Sequence, residues 1–338
     1  MKNVTKLCLL FFPSALFAQA QDSSSYYFKK GVEEKEAKRY QVASKYFGEA
    51  IQLNPSYTVA YMENGYANLE MRKIDEAKQN FTRAYDLDPT NEAALKELVE
   101  LNYNYRHFQK AIDLAQKCKS CPNADRIVAM SHYQLEDYPK AEKKLLALLE
   151  KDPNDAELTY LAGRNYMEMG MEDKAIPYYE KAVQLDEHRS NWFFELGLLY
   201  YNNNNFKNAV VAFNKASEKG FVQSNDFNEN LGFAYLYSGE YEKGEKLLLE
   251  IYERRPGDKD ILRDMAQAYY DAKKYDKSLE ICQKLLEIDK NDGRALYQAG
   301  MCFQRKGQVS RGQQMCDRAI ELDPTLNRLR QKKMTAGL

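Results

Sequence analysis

The chain has 338 residues, 44% apolar and 29% charged, with 49 Lys and Arg against 50 Asp and Glu for a net charge of −1. That balance excludes the basic footprint of a nucleic-acid binder and the polybasic patch of a membrane-surface protein, and the apolar content excludes wholesale disorder. A single globular core stops growing near this length, a limit that stacked repeats escape because each unit packs only on its neighbours.

The N-terminus carries Lys2 and Lys6, then the apolar stretches Leu7–Phe12 and Ala15–Ala18, interrupted by Pro13 and Ser14. Ala18-Gln19-Ala20 follows, with small residues where a signal peptidase cuts. A basic start, a short apolar core and an A-x-A site predict a signal peptide over residues 1–20, cleaved before Gln21. The apolar stretch falls short of the roughly 20 residues that a spanning helix needs. The expectation is an exported chain without membrane insertion after cleavage, placed in the periplasm or cell envelope, with secretion as the alternative.

From residue 24 onward the sequence repeats itself. Gly31, Gly65, Val99, Ala129, Gly163, Gly197, Gly232, Ala266 and Gly300 form one column, with steps of 34, 34, 30, 34, 34, 35, 34 and 34 residues. Twelve positions later Ala43, Ala77, Ala111, Ala141, Ala175, Ala209, Gly244, Ser278 and Gly312 form a second. A period near 34 marks a solenoid of paired helices. In residues 156–189, Leu158, Leu161, Ala162, Tyr166 and Met167 keep the spacing of an amphipathic helix, Gly170 breaks it, and Ala175, Ile176, Tyr179, Ala182 and Val183 set out another. Leu-Asn-Pro at 53–55 and Leu-Asp-Pro at 87–89 and 322–324 disfavour further helix and start the turn to the next unit. Glu187, Phe221 and Lys290 replace that Pro in units five, six and eight.

These columns make the chain resemble the tetratricopeptide repeat family. Its unit has an aromatic at position 4, Leu-Gly at 7 and 8, Tyr at 11, Ala at 20, an aromatic at 24, Ala at 27 and Pro at 32. The sixth unit carries Phe193, Leu196, Gly197, Tyr200, Ala209, Phe213 and Ala216 in those places, and the second Tyr61, Gly65, Ala77, Phe81, Ala84 and Pro89. The resemblance spans residues 24–324. It implies one all-α domain, a right-handed superhelical solenoid of about nine helix-turn-helix repeats. Residues 325–338, with Leu326, Leu329 and Met334 beside Arg328, Arg330, Lys332 and Lys333, read as a polar-backed capping helix and tail.

The step of 30 lies between Ala111 and Ala141, so about one helical turn is missing in the third unit, at Cys118-Lys119-Ser120-Cys121-Pro122. A thioredoxin-like pair needs a helix N-terminus to lower the thiol pKa, whereas this pair is expected at the end of a second helix, where the dipole has the opposite sign. Zinc held with His107 and His132 fails on reach. At about 1.5 Å per helical residue each His stands roughly 16 Å from the nearer Cys, against metal bonds of about 2 Å. A disulfide across the shortened turn and a pair of free thiols both remain open, and an oxidising compartment permits the first. Cys282, Cys302 and Cys316 fall on inward-facing positions as buried thiols. No nucleotide-binding loop, H-E-x-x-H or G-x-S-x-G occurs. The expectation is therefore no enzyme, no catalytic residue, no metal and no cofactor.

In the family that the chain resembles, the first helix of each repeat lines a concave face through positions 2, 5, 9, 12 and 13. The resemblance places Met62 and Tyr66 there from unit two, Tyr103 from unit three, Met130 and Tyr133 from unit four, and Tyr160, Arg164 and Met167 from unit five. Units six and seven supply Phe194, Leu198, Tyr201, Phe233 and Tyr237, and units eight and nine Arg263, Tyr270, Tyr297, Met301 and Arg305. These positions are expected to stay clear of the core. Tyr offers large contact area with a polar tip, and Met adapts to irregular surfaces. A groove so lined suits an extended or helical protein segment. The reading is a non-catalytic scaffold or assembly factor of the cell envelope with protein partners and no nucleic acid. A carbohydrate-binding solenoid is the alternative, because Tyr ladders also stack on sugars.

Overall fold

A computed structural model describes residues 14–328, with side chains from residue 23. Residues 1–13 of the expected signal peptide and 329–338 of the expected capping segment lie outside the described residues. The described chain is all-helical, without a strand, and divides into two compact units that meet at Pro153 and Asn154 in the sequence.

The first unit holds α1 (Ser14–Glu36), α2 (Tyr40–Leu53), α3 (Thr58–Glu70), α4 (Ile74–Leu87), α5 (Glu92–Asn104), α6 (Phe108–Ala115), α7 (Ala124–Gln134) and α8 (Tyr138–Lys151). The second holds α9 (Ala156–Glu168), α10 (Glu172–Leu185), α11 (Ser190–Asn202), α12 (Phe206–Glu218), α13 (Asn225–Ser238) and α14 (Tyr241–Arg254). It continues through α15 (Lys259–Asp271), α16 (Tyr275–Ile288), α17 (Gly293–Arg305) and α18 (Val309–Leu322) to a 3-10 turn at Pro324–Leu326. Each odd-numbered helix packs on the even-numbered one that follows it, so both units are runs of helix-turn-helix repeats.

Every first helix ends in the same way. Lys38, Arg72, Arg106, Glu136, Gly170, Asn204, Gly239, Lys273 and Gly307 all have positive φ, and they recur at the spacing of the sequence repeat. The residue after each donates its N–H to the carbonyl five residues back, as from Arg39 to Glu34 at 2.9 Å and from Asn205 to Tyr200 at 2.8 Å. This left-handed closure satisfies carbonyls that the helix end would otherwise orphan. Most second helices stop at an Asx residue instead, although α6, α12 and α14 end at Gln116, Lys219 and Arg255. Asn54, Asp88, Asp186, Asp289 and Asp323 accept the N–H two residues on at 3.0–3.1 Å. The Asx side chain makes the turn by itself, so Glu187 and Lys290 replace Pro without loss.

In most repeats, residues sixteen apart complement one another in volume, the pair Gly300 and Cys316 excepted. A Cβ added to Gly31, Gly65, Gly163 or Gly197 would lie 2.5–2.8 Å from the ring of Phe47, Phe81, Tyr179 or Phe213. Where the first column holds Val99, Ala129 or Ala266, the residue sixteen on is Ala115, Leu145 or Cys282, all buried. Cores packed as densely as crystals demand such exchanges.

The third repeat departs from the others. α6 has 8 residues, whereas α4 and α8 on either side have 14 each. In the loop that replaces its last turn, Cys118 and Cys121 are joined by a disulfide with the Cα atoms 5.6 Å apart. The sequence expectation for the local dipole is corrected here. Cys118 does follow the end of α6 and donates its N–H to Ala115, but the Cys121 carbonyl accepts the N–H of Ala124, so Cys121 stands two residues before Asn123, the N-cap of α7. Cys282, Cys302 and Cys316 are buried thiols outside the disulfide.

Candidate functional site

Each candidate side chain stands on a first helix whose turn geometry and small-residue contacts fix its rotation. In the first unit, Met62 is buried against the core, at 8% exposure. Tyr66 is half-buried, its ring 5.2 Å from Phe81 and its hydroxyl 3.5 Å from Glu97. Burial and the Glu97 and Glu63 carboxylates push that hydroxyl up to about 12. Tyr103 packs on Phe108 at 5.7 Å and Tyr133 on Tyr138 at 5.8 Å, while Met130 is half-buried.

The second unit gathers more of the set. Tyr160 stacks on Trp192 with centroids 4.5 Å apart and donates its hydroxyl to both oxygens of Glu195 at 2.9 Å. The buried Tyr179 donates to the same carboxylate at 2.8 Å. Burial, then Glu195, holds both phenols far above their ordinary range, so they remain donors. Arg164 reaches Glu168 at 3.4 Å, and Met167 packs against the surrounding core. Phe194 stacks on Phe221 at 4.4 Å and lies 5.7 Å from both Phe213 and Phe227, with Leu198 packed beside the same cluster.

Tyr201, Phe206 and Tyr237 form a more open aromatic group. Phe206 stacks on Tyr237 at 4.7 Å, Tyr201 meets Phe206 edge-on at 5.4 Å, and Tyr237 is 37% exposed. Arg263 is engaged by Asp260 at 2.7 Å and Asp292 at 2.8 Å. Tyr270 packs near Tyr275 and accepts from Arg305 Nε at 3.1 Å, with Arg305 itself exposed. Met301 is half-buried.

Three residues depart from the expectation that these positions avoid the core. Met62, Phe233 and Tyr297 are buried at 6–8% exposure. Phe233 joins Leu236, Ile261 and Met265 from its own and the next repeat, and Tyr297 joins Cys316 and Leu326. Successive first helices pack closely enough to enclose a large side chain at some of these positions, so they stabilise the stack and offer little surface to a ligand.

Sequence reasoning missed the acidic members of this face. Glu97, Glu195 and Asp264 stand three residues after the positions of Ala94, Trp192 and Ile261 on their helices, and Glu229 stands on α13. Burial first, then Asp258, Asp226 and Asp264, raises the Glu229 carboxyl above its ordinary range, with Arg255 opposing. Burial, Asp260 and Asp258 do the same to Asp264. The available signal was the recurrence of an acid two residues before the small-residue column, at Glu63, Glu97, Glu195 and Asp264.

Models described as tetratricopeptide repeat match residues 24–57, 59–91, 128–189, 160–221, 235–298 and 294–325. These spans leave out residues 92–127, which contain the short α6 and the disulfide loop. Among curated proteins, the chain is 26% identical over 170 residues to human protein O-mannosyl-transferase TMTC3, covering 48% of this chain and 19% of that protein. It is 24% identical over 244 residues to DnaJ protein P58IPK homolog B of Oryza sativa subsp. japonica, covering 66% and 51%. The chain thus spans about half or less of the length of such relatives. Among solved structures, the C-terminal part of a TPR repeat-containing protein from Cytophaga hutchinsonii is 20% identical, with a TM-score of 0.47 over 68% of this chain and 96% of that one. YrrB, a TPR protein with an unusual peptide-binding site, is 20% identical, with a TM-score of 0.38 over 53% and 92%.

Proposed function

We propose that the chain, which belongs to the tetratricopeptide repeat family, is a non-catalytic scaffold that binds extended or helical protein segments along its first-helix face. The observation that carries this reading is the open aromatic group of Tyr201, Phe206 and Tyr237, with Tyr237 at 37% exposure on the face that the family resemblance selects. Rigid aromatic side chains give large contact area at low entropic cost, which is the character of binding hot spots. The acidic residues Glu229 and Asp264 lie near enough to raise the Tyr201 phenol to about 12, after burial and Tyr237, so a partner meets aromatic and carboxylate groups together. The basic start, short apolar core and A-x-A site of residues 1–20 support the reading of a place in the cell envelope. One relative is named as a transferase, but the chain matches 19% of its length.

The test is capture from envelope extract by the mature protein, beside a Tyr201→Ser, Tyr237→Ser variant. Phe233 is left intact because its burial would confound binding with folding. Proteins retained by the wild type and lost by the variant support the scaffold. Retention unchanged by the variant overturns this face, and binding of purified glycans without any protein moves the reading to carbohydrate.

A further inference from the structure

The loop after the short α6 brings three metal-ligating side chains together. Glu92 at the start of α5, Cys118 and Cys121 each place one ligand atom within 4.8 Å of the others. Glu92 Oε2 lies 3.0 Å from Cys118 Sγ and accepts both the N–H of Ser120 at 3.1 Å and its hydroxyl at 2.9 Å. Ser120 is thus a positioning residue that aims the carboxylate at the sulfur pair. In the oxidised state the Cys118 sulfur carries no proton for that oxygen. In the reduced state two thiols and a carboxylate occupy one small space, and their ionised forms would gather three negative charges that a divalent cation offsets in part. Neither His107 nor His132 belongs to the group, so their distance from the cysteines has no bearing on it.

We propose that, when the disulfide is reduced, Glu92, Cys118 and Cys121 bind a thiophilic divalent cation of the Zn2+ class. A dithiol reductant supplies two electrons and two protons to the Cys118–Cys121 bond and is itself oxidised to a disulfide. The cation then displaces the two thiol protons to solvent and forms two metal–sulfur bonds and one metal–oxygen bond. Two thiolates and a carboxylate are donors that zinc accepts, with water completing a tetrahedron. The ligated site carries a formal charge of about −1, from three anionic ligands and a divalent ion. Its position suits that charge, because α5 begins at Glu92 and the Cys121 carbonyl is bonded to the first N–H of α7. The metal takes over the role of the disulfide, holding a loop where α6 lacks the turn that α4 and α8 have.

The test uses full-length protein reduced with a phosphine. Zn2+ binding is followed by calorimetry, and Co2+ binding by its thiolate charge-transfer absorption. One ion per chain is expected for the reduced protein and none for the oxidised protein. Glu92→Gln is expected to weaken binding about tenfold or more, by loss of a ligand, with the circular dichroism unchanged. Equal affinity of Glu92→Gln and wild type, equal binding by the oxidised protein, or no binding by the reduced one overturns the proposal. A Cys118→Ser, Cys121→Ser variant retains Cys282, Cys302 and Cys316; a cobalt–thiolate band from that variant overturns it as well.

Discussion

The sharpest test of the packing argument is Gly197→Ala. A Cβ there would sit 2.5 and 2.6 Å from Cδ1 and Cε1 of Phe213 and 3.1 Å from Cγ, against a ring with no solvent exposure. Overpacking of this kind costs about 1–3 kcal/mol, while Ala in place of Gly inside a helix returns about 1 kcal/mol. The single variant should therefore lose up to about 2 kcal/mol. Phe213→Leu alone leaves space beside Gly197 and should lose about 1–2 kcal/mol. Together the two changes recreate the combination that Ala129 and Leu145 already form, so the double variant should lose less than the sum by about 1–2 kcal/mol. Denaturant unfolding followed by Trp192 fluorescence reads this locally, because Trp192 is the single Trp of the chain and lies buried on α11 with Gly197. Additivity within about 0.5 kcal/mol would refute the volume-exchange reasoning.

The other predictions address turns, polar networks, titration and export. Gly170→Ala should cost about 1–2 kcal/mol from backbone strain alone, since φ is +69° and nothing lies within 4 Å of the added Cβ; a melting temperature equal to wild type would contradict it. Glu195→Ala leaves the buried Tyr179 hydroxyl with only the Met167 sulfur at 4.0 Å, a loss of about 1–3 kcal/mol that Tyr179→Phe in the same chain should partly restore. Glu229 has a raised carboxyl pKa, so its contribution to stability is full below the unfolded value and lost as pH rises through the folded one. Glu229→Gln should therefore unfold at higher denaturant than wild type at pH 7, with the difference fading toward pH 4, and a pH-independent difference would refute that cause. N-terminal sequencing of protein recovered from an exporting host should begin at Gln21; recovery with residues 1–20 attached would remove the export reading.

How far the fold was legible depends on which residues carried the information. The column from Gly31 to Gly300 announced helix pairs because close approach needs a small residue, and the structure sets Gly31, Gly65, Gly163 and Gly197 against aromatic rings sixteen positions on. The turns were less legible. Gly170, Gly239 and Gly307 mark a left-handed residue openly, but Lys38, Arg72, Arg106, Glu136 and Lys273 adopt the same geometry with no signal in their identity. There the two packed helices impose the turn, and the side chain merely tolerates it. The terminal Pro misled in the opposite direction, since Asp186 and Asp289 make the inter-repeat turn without it.

The candidate face was legible in direction but not in depth. Counting positions along a repeat tells which way a side chain leaves its helix; it does not tell how near the next helix stands. That count gives Phe194 and Tyr237 equal standing, yet Phe194 is half-buried among Phe213, Phe221 and Phe227 while Tyr237 is 37% exposed. The difference lies in what the same repeat and the following one send toward each ring. Phe221 fills the space beside Phe194 from the loop after α12, a place where the family pattern expects Pro. A departure from the repeat in one unit thus closes the face of that unit, through a residue outside the first helix. The same reasoning applies to the third repeat, where a missing turn brings Glu92 against Cys118 and Cys121 across 26 and 29 residues of sequence. Periodicity is informative about the fold because it averages over units, and for the same reason it passes over the individual departures from which sites are made.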